Sequence, residues 1–332
     1  MEIIKCELLW SRSCKLKCSY CNMVNEQKNT PSVGQWTEGF VNLKKLGCAF
    51  LAIYGAEPLE EFDKLPQAIY SAENMGIHTT VITSGITDNR NEKLRILYEH
   101  GLRSITTSYD FNPTDRYSRI KTDNALSVID TFRSFGPVRD SAVVVTLTRE
   151  NYRYLPEIIK RMSDKNIWTF FDLIHPDRGQ PGAKVKNTHL DLLFTKEDFS
   201  ELMDVLNHVL ILKEKGLLCH ASRSFIDMIQ KKIPLYKPYN WICAEEQVFP
   251  SWVTVDCSGG IVRPCDDFYM KDVVDIPVWD LYARWDEFCA TWGVVVRNNC
   301  PGCMWNTHID ANRIKEGKIL ITDYVHGMEK NL

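Results

Sequence analysis

The chain has 332 residues, 44% of them apolar and 25% charged, with a formal net charge of -3 at pH 7. That length allows one large domain, or a large and a small one, and the apolar share excludes a disordered chain. The near-neutral charge and the scattered Lys and Arg exclude a surface built to track a polyanion, so no nucleic-acid partner is expected.

The first ten residues lack a basic region followed by an apolar core, so they do not read as a secretory signal. Residues 4–10 are instead predicted as a first strand that feeds a cysteine-rich loop. Cys48 to Tyr54 is an apolar run ending at Gly55 and predicts a buried strand. Leu65 to Met75 has helical spacing and stops before Gly76. Thr79 to Thr83 is a β-branched strand, and Glu92 to His100 a helix closed by Gly101. Ser104 to Ser108 is the next strand, and Ala125 to Phe135 the next helix. Ala142 to Thr148 is the clearest buried strand, Leu155 to Ser163 a helix, and Trp168 to Ile174 a sixth strand.

Six β/α units in series predict an α/β fold, a partial (β/α)6 TIM-type barrel with a parallel sheet inside and helices outside. Ligands of such folds sit at the C-terminal ends of the strands. Residues 175–195 read as a long Pro-, Gly- and Lys-rich loop. Phe199, Leu202, Met203, Leu206, Val209 and Leu210 mark one face of a further helix. Ile233 to Tyr239 reads as a linker. The rest of the chain is rich in Trp and Cys and poor in helical pattern. The expected domains are therefore a barrel core over 1–235 and a small second domain over 236–332. No run of about 18 apolar residues predicts a membrane span, and the default location is the cytoplasm.

Twelve cysteines in a reducing compartment need an explanation other than disulfides. Three lie within residues 14–21 and six within residues 243–303. The first group is Cys14, Cys18 and Cys21, a C-x3-C-x2-C loop. Three thiolates there can take three irons of a cubane and leave the fourth iron open to a chelating cofactor. Zinc sites favour paired C-x2-C units, and ferredoxins use other spacings. A thiol-rich zinc or electron-carrier protein, not an enzyme, is the alternative. In the second group, Cys243, Cys265, Cys300 and Cys303 supply four thiolates, enough for one closed 4Fe–4S cluster or one zinc. Cys257 is either a ligand in place of Cys243, a hydrogen-atom donor near the substrate, or a buried apolar thiol. Cys289 carries the last two of these readings, and Cys6, Cys48 and Cys219 read as core or surface residues.

The first loop, with Tyr20 just before its last cysteine, resembles the C-x3-C-x-aromatic-C signature of the radical S-adenosylmethionine (SAM) superfamily. Further strand-end motifs match in order. Tyr54-Gly55-Ala56-Glu57-Pro58 is similar to the family's Gly-Gly-Glu-Pro, with Ala56 in place of the second glycine. Thr83-Ser84-Gly85 is similar to Thr-Asn-Gly, and Ser108-Tyr109-Asp110 to Ser-Leu-Asp. The resemblance implies SAM as cofactor, bound by Tyr20, Gly55, Ala56, Glu57, Ser84, Ser108 and Asp110, with Glu57 on its amino group.

It also implies a 4Fe–4S cluster on Cys14, Cys18 and Cys21, reduced by an external one-electron donor such as flavodoxin or ferredoxin. The cluster would cleave SAM to a 5′-deoxyadenosyl radical, which takes a hydrogen atom from the substrate in a dry site. The C-terminal cysteines resemble the family's SPASM or twitch extension, in its shorter form with one auxiliary 4Fe–4S cluster. Such an arrangement is similar to that of members acting on small molecules: a sugar, an aminocyclitol or a nucleoside. Modification of a ribosomal peptide or protein is the alternative.

Overall fold

A computed structural model describes residues 3–18, 20–21, 23, 30–111, 116–176, 184–185, 191–232, 251–263 and 275–299. Cys243, Cys265, Cys300, Cys303 and the expected linker over 233–239 lie outside these described residues.

Strands and helices alternate as the periodicity predicts. The order is β1 (Lys5–Ser11), α1 (Val33–Lys45), β2 (Phe50–Gly55), α2 (Leu65–Asn74), β3 (His78–Thr83), α3 (Arg90–Glu99), β4 (Ser104–Ser108), α4 (Arg116–Ser134), β5 (Asp140–Leu147), α5 (Leu155–Ser163) and β6 (Trp168–Leu173). The two-residue strands β7 (His175–Pro176) and β8 (Lys184–Val185) lie within the expected loop. After them come α6 (Phe199–Glu214), α7 (Arg223–Lys232), β9 (Trp252–Asp256), β10 (Val262–Arg263) and α8 (Trp285–Asn299).

One eight-stranded sheet runs in the order β10-β9-β1-β2-β3-β4-β5-β6. All neighbours from β9 to β6 are parallel, and β10 is antiparallel to β9. On the outer side of β6, Thr169 forms a parallel bridge with Cys219. This is the expected α/β partial barrel.

The strands' alternation explains its two layers. Cys6, Leu8 and Trp10 of β1, Leu51 and Ile53 of β2, and Val143, Val145 and Leu147 of β5 point outward. They bury themselves against the helices in one apolar core. Phe40 and Leu43 of α1, Ile69 of α2, Val128 and Phe132 of α4, and Ile159 and Met162 of α5 come from the other side. Cys6, Cys48 and Cys219 are buried in this layer, as a small apolar thiol is expected to be.

Several elements differ from expectation. Helix α4 begins nine residues before Ala125, because its first turns carry polar and basic side chains that mask the periodicity. Helix α1 was not predicted; Gly34, Thr37 and Gly39 break its apolar stripe, and a Ser32–Gln35 capping box fixes its start. The C-terminal region contains a fifteen-residue helix, α8, where little helical pattern was expected, since adjacent Val294, Val295 and Val296 favour a strand reading. Among the described residues no helix is long and apolar enough to cross a membrane.

Candidate active site at the strand ends

The inward-facing residues of the same strands do not join the apolar core. They line a cavity of about 670 Å³ inside the barrel. Both Asp140 and Thr146 of β5 face it, so it runs about 20 Å along that strand at the usual rise per residue. An ordinary TIM barrel fills this space with layers of branched side chains. Here the inner residues include Glu7, Ala52, Thr80, Thr106, Ala142 and Phe170, and the space stays open. Its floor is aromatic and polar, with Trp168, Trp252 and the ring of His220 stacked on Phe170 at 3.9 Å.

The upper end is built by the loop that leaves β1. A turn closed by Cys21 N–H donating to Cys18 C=O at 3.2 Å, together with Leu16 N–H donating to Cys14 Sγ at 3.3 Å, shapes the cysteine loop. Leu16, Cys18 and Tyr20 pack with Ile174 and Leu192 in a small apolar cluster, and Cys14 and Cys21 lie against it. All three cysteines and Tyr20 line the cavity. Burial pushes the Cys14 thiol up to about 11, so a metal must displace its proton to use it as a ligand.

Beside this loop, Ala56 N–H donates to Ser11 C=O at 2.8 Å. The approach requires glycine at position 55. With φ +156°, a Cβ there would stand 2.4 Å from Ser11 O and 2.7 Å from Ser11 N, both backbone atoms. Gly55 and Ala56 face the cavity.

Glu57, expected on the SAM amino group, lies beside this turn. It is fully buried, and its carboxylate accepts four hydrogen bonds from the chain itself. Leu59 N–H (3.2 Å) and Thr83 Oγ1 (2.5 Å) donate to Oε1; Ser84 N–H (2.9 Å) and Ser84 Oγ (2.5 Å) donate to Oε2. Burial raises its pKa, and the Ser84 and Thr83 bonds work against that rise. Glu57 thus ties the end of β2 to the end of β3 and fixes Ser84, which does line the cavity. Gly85 comes next at φ +66°, where a Cβ would meet Val128 of α4 at 2.3 Å.

Ser108 ends β4 and faces the cavity, as does Asp110 beyond it. Asp110 is buried and accepts from Thr146 N–H at 3.0 Å, and both Lys121 and the Tyr20 hydroxyl donate to its other oxygen. Burial alone would raise its pKa; the Lys121 ammonium and these hydrogen bonds outweigh that and hold it below the usual carboxylate range. Burial likewise acts to lower the pKa of Lys121, and Asp110 beside it reverses the sign.

Cys257 lies just past the end of β9. It is fully buried, its thiol pushed up to about 12 chiefly by burial and then by Asp256. Asp256 itself accepts from the Arg12 guanidinium at 2.7 Å, joining the start of the cysteine loop to β9. Cys289 lies half-buried on α8. None of the described cysteines is in a disulfide.

Among the described residues, no three Cys, His, Asp or Glu side chains come together closely enough to hold one metal ion. A zinc site needs its thiolates to converge at about 2.3 Å on a single point. A cubane takes each thiolate on a different iron, so its three ligands stand apart around one space. Cys14, Cys18 and Cys21 do so.

Sequence reasoning missed Lys121, Thr146 and Asp172, all of which face the cavity. Lys121 carried a signal: it stands with Ser118, Ala125, Val128 and Phe132 on the buried stripe of α4, where a lysine is out of place. Asp172 carried a weaker one, as the charged residue near the end of an otherwise apolar and aromatic strand.

Residues 8–162 match the Radical SAM superfamily. Among solved structures, SuiB of Streptococcus suis bound to its precursor peptide SuiA has a similar fold, with a TM-score of 0.63 at 16% identity. That match covers 88% of this chain and 66% of SuiB, so the chain spans just under two thirds of that protein. SuiB bound to S-adenosylmethionine gives 0.64 at 16% identity, over 94% of this chain and 74% of the other. The structure of anSMEcpe with bound AdoMet and the Cp18Cys peptide gives 0.55 at 14% identity, over 98% and 100%.

Proposed function

We propose, on the premise that residues 8–162 are a radical SAM domain, that the chain is a radical SAM enzyme working in the barrel cavity. The carrying observation is that Cys14, Cys18 and Cys21 line one cavity together with Gly55, Ala56, Ser84, Ser108 and Asp110. The three thiolates would hold a 4Fe–4S cluster. When bound there, the reduced cluster and SAM supply a 5′-deoxyadenosyl radical that takes a hydrogen atom from a substrate carbon.

The chain's own residues have four tasks. Gly55 and Ala56 offer bare backbone to the SAM methionyl group, while Glu57 holds that turn against β3. Ser84 and Ser108 offer hydroxyls at the neighbouring strand ends. Asp110 fixes Tyr20 and, through it, the loop. Below them, the walls from Ala142, Ile82 and Phe170 exclude water from the reacting centre.

The substrate enters the remaining part of the cavity. A small molecule such as a sugar, aminocyclitol or nucleoside suits what SAM and the cluster would leave of the cavity's 670 Å³ or so. A peptide side chain reaching into the barrel is the second reading. It is favoured by the fold likeness to SuiB and anSMEcpe, whose structures contain peptides. An auxiliary 4Fe–4S cluster on Cys243, Cys265, Cys300 and Cys303, with Cys257 as a ligand or hydrogen donor, completes the proposal on sequence spacing. Reduction by flavodoxin or ferredoxin in the cytoplasm belongs to the same reading.

Full-length protein reconstituted anaerobically with iron and sulfide, then reduced with dithionite, is expected to convert SAM to 5′-deoxyadenosine. Cys18→Ala should abolish the product while circular dichroism stays unchanged. Product formation that survives in Cys18→Ala, or purified protein carrying zinc and no iron after reconstitution, overturns the assignment.

A further inference from the structure

Helix α4 turns one lysine toward the cysteine loop. Lys121 is 7% exposed and holds a stripe position that otherwise packs small and apolar groups. Its ammonium donates to Tyr20 Oη at 2.5 Å and to the Asp110 carboxylate, and it stands 5.0 Å from the centre of the Tyr20 ring. The Tyr20 hydroxyl donates to the same carboxylate, whose second oxygen is held by Thr146 N–H at 3.0 Å. Four segments therefore converge around Tyr20, which lies between Cys18 and Cys21: the loop itself, the turn after β4, α4 and β5.

Such a contact needs a cause. Two charges taken out of water carry a desolvation cost that their attraction rarely exceeds, so fold stability alone does not explain the pair. A shorter apolar residue at position 121 would extend the packing of Ala125 and Val128. What the pair does offer is a fixed dipole, enclosed at low dielectric, facing the cavity shared with Cys14, Cys18 and Cys21. A unit charge acts in inverse proportion to distance, and more strongly where burial lowers the effective dielectric. Any cluster on those thiolates gains a negative charge when it accepts an electron. The ammonium favours that step and the carboxylate opposes it, and the protein fixes their balance.

Resting on the reading that this loop holds a 4Fe–4S cluster, we propose that the Lys121 ammonium offsets the Asp110 carboxylate at the cluster, so that the reduction potential depends on both charges staying in place together. The pair is held by hydrogen bonds to loop, strand and helix at once, so neither charge can turn away when the cluster changes charge. The electron comes from an external reductant, dithionite in the test, which is oxidised as the cluster is reduced.

Potentiometric titration at pH 8, monitored by electron paramagnetic resonance on the full-length reconstituted chain, measures this directly. The signal to track is the one that changes when SAM is added, which singles out the cluster of the cysteine loop. Lys121→Met should move the midpoint to more negative potential, and Asp110→Asn to more positive. The double variant restores the net charge and should return near the wild-type value, and Lys121→Arg should stay there throughout.

Single variants that leave the midpoint unmoved, or shift it in the same direction, overturn the proposal. Where a single variant fails to load iron, the double variant decides. A double variant that loads and titrates like wild type supports the charge balance; one that also fails to load makes the contact purely architectural and overturns it. Wild-type protein without a SAM-sensitive signal is a separate result, which removes the cluster reading itself.

Discussion

The two faces of the same strands behave as two different proteins. On the outer face, alternate residues of β1, β2, β5 and β6 meet the helices in an apolar layer whose members are almost all fully buried. On the inner face, their neighbours one residue away surround an open cavity with carboxylates, hydroxyls and aromatic rings. The outer face specifies where the strands lie; the inner face has been left out of the packing and is available for chemistry. The fold's stability should therefore reside in one set of positions and its activity in the other.

Adjacent residues of β6 give the largest test of this division. Phe171 is fully buried on the outer face, whereas Phe170 faces the cavity and stacks on His220. Phe171→Ala should cost about 3–5 kcal/mol of stability. Phe170→Ala should cost about 1 kcal/mol while lowering substrate turnover. Chemical denaturation of the two variants compares them, and equal losses would erase the distinction between the faces.

Gly55→Ala tests the boundary between them, since Gly55 ends a strand and opens the site. The added methyl would fall on the Ser11 backbone, and the strain should cost about 1–3 kcal/mol. A denaturation midpoint unchanged by this substitution would show that the approach to Ser11 relaxes freely.

The smallest effect concerns Glu57. Burial holds its carboxyl above the ordinary value of 4.5. The folded state therefore keeps this proton at pH values where the unfolded chain has lost it, and the group's contribution to stability falls as pH rises from about 4.5 through the folded pKa. Glu57→Gln should flatten that part of the stability–pH curve and leave the rest unchanged. A curve of the same slope in both proteins would assign the dependence to another group.

Much of this was legible in the sequence. Strand β4 and helix α5 match their predicted bounds, because a short β-branched run and a stripe at 3.6-residue spacing each report a local fact. The cysteine loop, Gly55, Ser84 and Asp110 were placed by tracing strands to their ends, and all of them face one cavity. Other features depend on partners distant in sequence. Glu57 was legible as a strand-end residue, but its four bonds from Leu59, Thr83 and Ser84 are an arrangement that no spacing reveals. Lys121 is intelligible only once Asp110 is seen beside it. Helix α8 hides behind β-branched residues whose local preference is overridden by packing, as Phe288 and Trp292 join the core.

The parallel pairing of β9 with β1 has a consequence for how the protein is made. Lys5 pairs with Trp252, and Arg12 at the root of the cysteine loop reaches Asp256. Roughly 250 residues separate these partners, and at ribosomal speeds of about 5–20 residues per second the first strand waits on the order of ten to fifty seconds for its second neighbour. Through that interval β1 has an open edge, and the loop beyond it lacks the Asp256 anchor. Any group that binds this loop before release from the ribosome would therefore meet an unfinished site.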